Sequence, residues 1–196
     1  MKKGKFIVIY GINNLGKTTQ LNMLVDYLTN NQNKDVYSMK FPVYNLAPTG
    51  PVINEYLRGE NKYKLSPREA QILYAMNRTH FSTQLDNLLE DKDFVIAEDY
   101  FGTSFAWGTA SGVSKEFLYE INSHLRIPDI SILFDGERFI EGIESGHKHE
   151  MDNDLTNKVR QTHLEIGKEL GWHVVNANGS IEEVHKKVLE VVKKLI

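Results

Sequence analysis

Apolar and polar positions alternate along the chain between two periods. Phe6-Ile7-Val8-Ile9-Tyr10 is an unbroken apolar run short enough for a strand buried on both faces. Leu21, Leu24, Val25 and Leu28 then recur at helical spacing, which predicts a helix over Lys17 to Asn30. Asp35 to Phe41 reads as a second strand, stopped by Pro42. The Pro- and Gly-rich loop Pro42 to Pro51 leads into a short helix ending near Leu57. Ser66-Pro67-Arg68-Glu69 combines an N-cap serine, a proline at the first helical position and a glutamate three residues on. The helix it opens carries Ile72, Leu73, Met76 and Phe81 and runs to about Leu89. Phe94 to Ala97, Ile130 to Phe134 and Trp172 to Val175 read as three more strands, and Ile181 to Ile196 as a last helix. The charged stretch Glu144 to Asp154 lies between two helical patterns.

Strand–helix alternation of this kind implies an α/β fold, with a central parallel sheet of about five strands and helices on both faces. Ligands in such folds bind at the carboxyl ends of the strands. By that rule Tyr10, Phe41, Glu98 and Phe134 all face one crevice. A length of 196 residues suits one domain, read here as 1–196. The net charge of -3 gives no electrostatic case for a nucleic-acid partner. The absence of cysteine rules out a disulfide framework and a thiolate nucleophile. Met1-Lys2-Lys3 precedes an apolar run too short for a signal peptide, and no segment approaches membrane-spanning length. A soluble, cytoplasmic protein without a membrane partner is the expectation.

The chemistry is concentrated in Gly11-Ile12-Asn13-Asn14-Leu15-Gly16-Lys17-Thr18, a G-x-x-x-x-G-K-T phosphate-binding loop. A predicted strand before it and a predicted helix after it supply the context the motif needs; an ordinary glycine turn is the weaker reading. Gly11, Asn13, Asn14, Leu15, Gly16, Lys17, Thr18 and Thr19 are therefore expected to wrap a polyphosphate through backbone N–H groups. Lys17 would reach the β- and γ-phosphates of ATP, and the Thr18 hydroxyl would ligate Mg²⁺. Glu98, at a strand end beside the loop, can hold Mg²⁺ through water or act as a base. Of the histidines, His147 and His149 look like parts of a solvated loop, and His80, His124, His163, His173 and His185 read mostly as surface residues.

Several further segments fall in register with one family. They are Phe41-Pro42, Tyr74-Ala75-Met76-Asn77-Arg78, Glu98-Asp99-Tyr100 with Thr103-Ser104, Pro128-Asp129, His149 to Leu155, and Ser180 to Val184. Together with the loop, the chain resembles the thymidylate kinases over nearly its whole length. The resemblance implies a three-layer P-loop kinase fold and transfer of the ATP γ-phosphoryl to a nucleoside monophosphate, with dTMP favoured. It also implies a homodimer. By position, Tyr74 would stack on the acceptor base, Arg78 would reach the base or its phosphate, and Phe41 would line the base pocket. Asn13, Ser104 and Trp107 fall at substrate-contacting positions, and Glu144 to Asp154 would form a lid.

The departures bear on mechanism. Where the family has Asp-Arg-Tyr, with the arginine on the acceptor's phosphate, this chain has Glu98-Asp99-Tyr100. An arginine expected shortly after Phe-Pro is replaced by Val43 and Tyr44, and the loop aspartate by Asn13. Neither Asn14 and Leu15 nor the lid, which offers His147, Lys148 and His149, carries the usual arginine. Lys148 is then the candidate lid cation. A deoxynucleoside or other nucleotide kinase of the same fold, or a nucleotide-binding protein with weakened transfer, remains an alternative on these residues.

Overall fold

The computed structural model describes residues 4–59, 61–139 and 153–196. Five strands, β1 (Lys5–Tyr10), β2 (Val36–Lys40), β3 (Phe94–Glu98), β4 (Ile130–Asp135) and β5 (His173–Asn176), form one sheet in the order β2-β3-β1-β4-β5. Every neighbouring pair is parallel. Phe6 to Tyr10 and Phe94 to Glu98 are buried at every position, so the centre of the sheet is covered on both faces. One helical set pairs α1 (Lys17–Asp26) with α7 (Ile181–Val192). The other links α3 (Pro67–Asp91), α4 (Phe101–Ala110) and α6 (Asn153–Glu169). Two smaller helices, α2 (Thr49–Arg58) and α5 (Lys115–Asn122), pack on α3 and α4 respectively.

Local chemistry sets the ends of these elements. Ser66 Oγ accepts from the Glu69 N–H at 3.3 Å, and Glu69 Oε2 accepts from the Ser66 N–H at 2.8 Å, so α3 starts in the expected capping box. Ser180 and Glu183 repeat the device at α7. The first helix departs from expectation at its end: α1 stops at Asp26 and the chain continues as a π-helical turn, Tyr27–Asn31. Helices α4 and α5 have no counterpart in the reading of periodicity. Seven of the ten residues of α4 are buried, including Phe101, Ser104, Phe105 and Trp107, so α4 carries no apolar stripe with a polar back. Its glycines allow the packing. A Cβ at Gly102 would lie 2.3 Å from Trp172 Cη2, and one at Gly108 would lie 2.7 Å from Leu118 Cδ2.

Trp172 itself precedes β5 and stacks on Tyr10, with centroids 4.2 Å apart and planes 9° from parallel. That contact corrects one expectation. Tyr10 and Phe134 sit at strand ends but belong to the core, at 0% and 1% exposure, while Phe41 and Glu98 reach the crevice. His163 is a second correction: it is 1% exposed, inside α6.

Candidate active site

The phosphate loop is shaped by three residues with positive φ. Gly11 has φ 142, and a Cβ there would lie 2.7 Å from the Phe134 carbonyl oxygen, so only glycine fits. Asn14 at φ 62 and Gly16 at φ 75 complete the turn into α1. Lys17 folds back beneath it, donating to the carbonyls of Gly11 at 2.9 Å and Ile12 at 3.0 Å. The first residue after the Asp135–Arg138 stretch, Phe139, donates its N–H to the Asn14 carbonyl at 2.9 Å, fastening the end of β4's connection to the loop.

Glu98 is the hub between this loop and the rest of the crevice. Its Oε2 accepts from Thr18 Oγ1 at 2.6 Å and its Oε1 from Lys40 Nζ at 2.8 Å. Burial alone would raise its pKa, but the charges of Lys17 and Lys40 and the two hydrogen bonds outweigh burial and hold it below the usual carboxylate value. Asp99, next along, adopts φ 63 as the chain leaves the sheet, a conformation aspartate tolerates better than most residues. Its N–H still pairs with the Ile9 carbonyl at 3.0 Å, and its Oδ1 accepts from Thr103 Oγ1 at 2.9 Å. Here burial wins, aided by the Glu98 charge against the pull of Lys17 and Lys40, and the Asp99 carboxyl is pushed up.

A cavity of about 370 Å³ runs from the loop to α3. At its far end Arg78 is 4% exposed and has no carboxylate partner among the described residues. Its Nη2 donates to Ser104 Oγ at 2.7 Å and to Asn122 Oδ1 at 2.9 Å, while Nε reaches the same Asn122 oxygen at 3.2 Å. Ser104 donates its own O–H to Gln71 Oε1 at 2.6 Å. Burial lowers the guanidinium to about 10, which leaves it charged at neutral pH. Tyr74 lines the cavity and also packs against Ile53, Tyr56, Leu57 and Ala70. It serves as wall and core at once.

Asn77 explains how the Phe41 side is held. It is fully buried; its Oδ1 accepts from the Val43 N–H at 2.8 Å, and its Nδ2 donates to the Val43 carbonyl and to Thr49 Oγ1, both at 3.0 Å. One side chain on α3 thereby fixes the Phe41-Pro42-Val43 turn and the start of α2.

The structure brings together on this cavity Asn13, Asn14, Gly16, Lys17, Thr18, Thr19, Phe41, Tyr74, Arg78, Glu98, Asp99, Ser104 and Trp107. Two loop residues stand apart from it. Gly11 supports the turn from behind, and the Leu15 side chain is 2% exposed in the core, leaving only their backbone for phosphate contact. Lys148, with His147, His149 and lid positions 144–152, lies outside the described residues. Lys40, Gln71 and Asn122 take part without having been anticipated. Lys40 had one available signal, its place immediately before Phe41-Pro42; Gln71 and Asn122 had none, since only the fold brings them to Arg78 and Ser104.

The family model for thymidylate kinase matches residues 9–188. This chain belongs to the thymidylate kinase family. Among its relatives, a protein of Pyrococcus abyssi described as "Probable thymidylate kinase" is 32% identical over 203 residues, covering 97% of each chain. The thymidylate kinase of Dictyostelium discoideum is 25% identical over 97% of this chain and 86% of its own. The solved structure of a thymidylate kinase from Candida albicans superposes with a TM-score of 0.80 at 26% identity, covering 98% of this chain and 92% of that one. Membership makes the chain a phosphotransferase of the P-loop kinase class. Asp99 stands in the cavity wall.

Proposed function

We propose that this protein transfers the γ-phosphoryl group of ATP to dTMP, giving dTDP and ADP. The observation that carries this reading is the single cavity joining Lys17 and Thr18 at one end to Tyr74 and Arg78 at the other. Loop N–H groups and Lys17 bind the donor's phosphates, and Tyr74 with Phe41 encloses a planar base beside the Arg78 guanidinium. A phosphate oxygen of dTMP attacks the γ-phosphorus, a new P–O bond forms, and the bond to the ADP oxygen breaks. The nucleophile is already anionic, so Glu98 is not needed as a base. Its low pKa instead suits a cation site: Thr18 Oγ1 and the Glu98 carboxylate, 2.6 Å apart, are hard oxygen donors that fit Mg²⁺. Mg²⁺ when bound neutralises charge on the β- and γ-phosphates. Lys148 and the 144–154 segment complete this reading as a lid cation and lid, and residues 1–196 as one kinase domain.

A homodimer fits the exposed pair Ile72 and Met76, each 44% accessible and one turn apart on α3. No helix among the described residues is long and apolar enough to cross a membrane, and a cytoplasmic enzyme without a nucleic-acid partner agrees with its nucleotide substrates. A coupled ADP-release assay over nucleosides and monophosphates tests the main reading. Turnover should be highest with dTMP; faster phosphorylation of thymidine than of dTMP would overturn it.

A further inference from the structure

The acceptor's 5′-phosphate is a dianion, and it must lie between the base pocket and the phosphate loop. The wall there carries two carboxylates, Glu98 and Asp99. Carboxylates in that wall repel a dianion placed beside them. Some cation must offset them. Among the described residues, four cationic side chains line the cavity: Lys17, Lys40, Arg58 and Arg78. Lys17 belongs to the loop and to the donor phosphates. Arg78 is committed through Nη2 and Nε to Ser104 and Asn122 at the base end. Arg58 lies over the Tyr44 ring at 5.0 Å and donates to Asn54 Oδ1 at 3.1 Å, on the exposed end of α2.

Lys40 differs in place and in bonding. It ends β2, in register with Glu98, and precedes Phe41 of the base pocket. Glu98 takes Thr18 on one oxygen and Lys40 on the other, so the Lys40 ammonium is one carboxylate away from the phosphate loop. The carboxylate is 5% exposed while the lysine side chain is 52% exposed. Glu98 is the only hydrogen-bond partner of Lys40 among the described residues, so two of the three ammonium N–H groups are unpaired on the open side. A lysine binds phosphate as a point charge without needing the forked geometry of arginine.

We infer that Lys40 supplies the cation for the acceptor's 5′-phosphate, the contact that Asp99 denies. This rests on the reading of the cavity as a dTMP site and adds to it the residue that separates a monophosphate from a nucleoside. In this arrangement Glu98 orients Lys40 from behind, and Asp99, tied to Thr103, turns one acceptor atom away from the phosphate.

The test is a pair of calorimetric titrations, dTMP and thymidine, into the wild-type protein, Lys40→Met and Lys40→Arg. Wild type should bind dTMP more tightly than thymidine. Lys40→Met should weaken dTMP by at least tenfold, leave thymidine within twofold and so erase the preference, while Lys40→Arg restores it. Lys40→Gln, which keeps a donor for Glu98 without the charge, gives the same comparison if Lys40→Met fails to fold. An undiminished preference in the uncharged variants would overturn the assignment, as would equal weakening of both ligands, which marks a structural lysine. If wild type binds ATP but neither thymidine nor dTMP, it is the dTMP reading itself that fails.

Discussion

Lys17 donates to two carbonyls, at 2.9 and 3.0 Å, at the loop end of the cavity. Its removal costs the site a cation while leaving the loop's backbone shape, which is set by Gly11, Asn14 and Gly16. Lys17→Ala should therefore lower turnover by at least about 10²–10³-fold with an unchanged circular dichroism spectrum, the range for losing one preorganised electrostatic contact. Normal turnover would refute the loop's role. Tyr74 is a mixed case because it packs against Ile53 and Leu57 as well as lining the cavity. Tyr74→Ala should weaken dTMP by roughly 1–3 kcal/mol, the worth of an aromatic platform under a base, and ATP hardly at all. Equal losses for both ligands by calorimetry would make Tyr74 purely a core residue. At Asp99 the expected gain is unusual. Asp99→Arg replaces repulsion with attraction, and the Michaelis constant for dTMP should fall at least tenfold, about 1.4 kcal/mol, with that for ATP unchanged. Residues of this kind were legible in the sequence because residue type and spacing alone carry their chemistry. Gln71 and Asn122 were not, since a glutamine or asparagine on a helix says nothing of its partner 33 or 44 residues away.

Helix α3 shows how one element separates stability from function. Its start is an exposed capping box, and Ser66→Ala should cost about 0.5–2 kcal/mol, the usual worth of an N-cap, without changing either Michaelis constant. Eleven residues on, Asn77 sits fully buried with both its amide groups bound to the Val43 backbone. Asn77→Ala leaves the part-buried Val43 N–H and carbonyl without Asn77, at up to about 1–3 kcal/mol for each unmet group, and frees the turn that carries Phe41. Urea midpoints should drop for both variants, but only Asn77→Ala should raise the dTMP Michaelis constant. Were Ser66→Ala to raise it too, the site would depend on the whole helix rather than on Asn77. The same element shows what periodicity can reveal. The cap, the proline and the apolar recurrences of α3 are local signals and predicted its span closely. Helix α4 offered none of them, because burial on all sides replaces an amphipathic stripe with glycines and aromatics whose spacing only Trp172 and Leu118 explain.

Across the molecule, the five parallel strands were readable from short apolar runs, but their order β2-β3-β1-β4-β5 and what lies behind the sheet's ends came only from packing. His163 is the clearest consequence. From the sequence it is one polar residue on a largely polar helix; in the fold α6 packs on α4 and β4, and His163 is 1% exposed, with neither ring nitrogen making a hydrogen bond of normal geometry. Burial first, and the Lys17 charge second, pull its pKa down to about 3, with only partial opposition from the Val159 carbonyl. The unfolded chain titrates this group near 6.5. Above that value both states are neutral and pH has no effect through His163. Between there and about 3 the unfolded state carries a proton that the folded state lacks, so stability falls as pH falls, by up to about 1.4 kcal/mol per unit. From pH 7 to pH 5 this amounts to about 2 kcal/mol. Glu98, whose pKa is lowered, keeps its contribution until pH drops below the ordinary carboxylate value, outside this window. Asp99, raised, acts in the opposite sense, and the smaller downward shifts of His173 and His185 act in the same sense as His163, but all three are shared by wild type and variant. Urea denaturation of wild type and His163→Leu at pH 7 and pH 5 isolates the term. Wild type should lose about 2 kcal/mol more than the variant between the two. Parallel losses would mean that His163 finds a proton partner in the folded state, and that the space behind the phosphate loop is wetter than its packing implies.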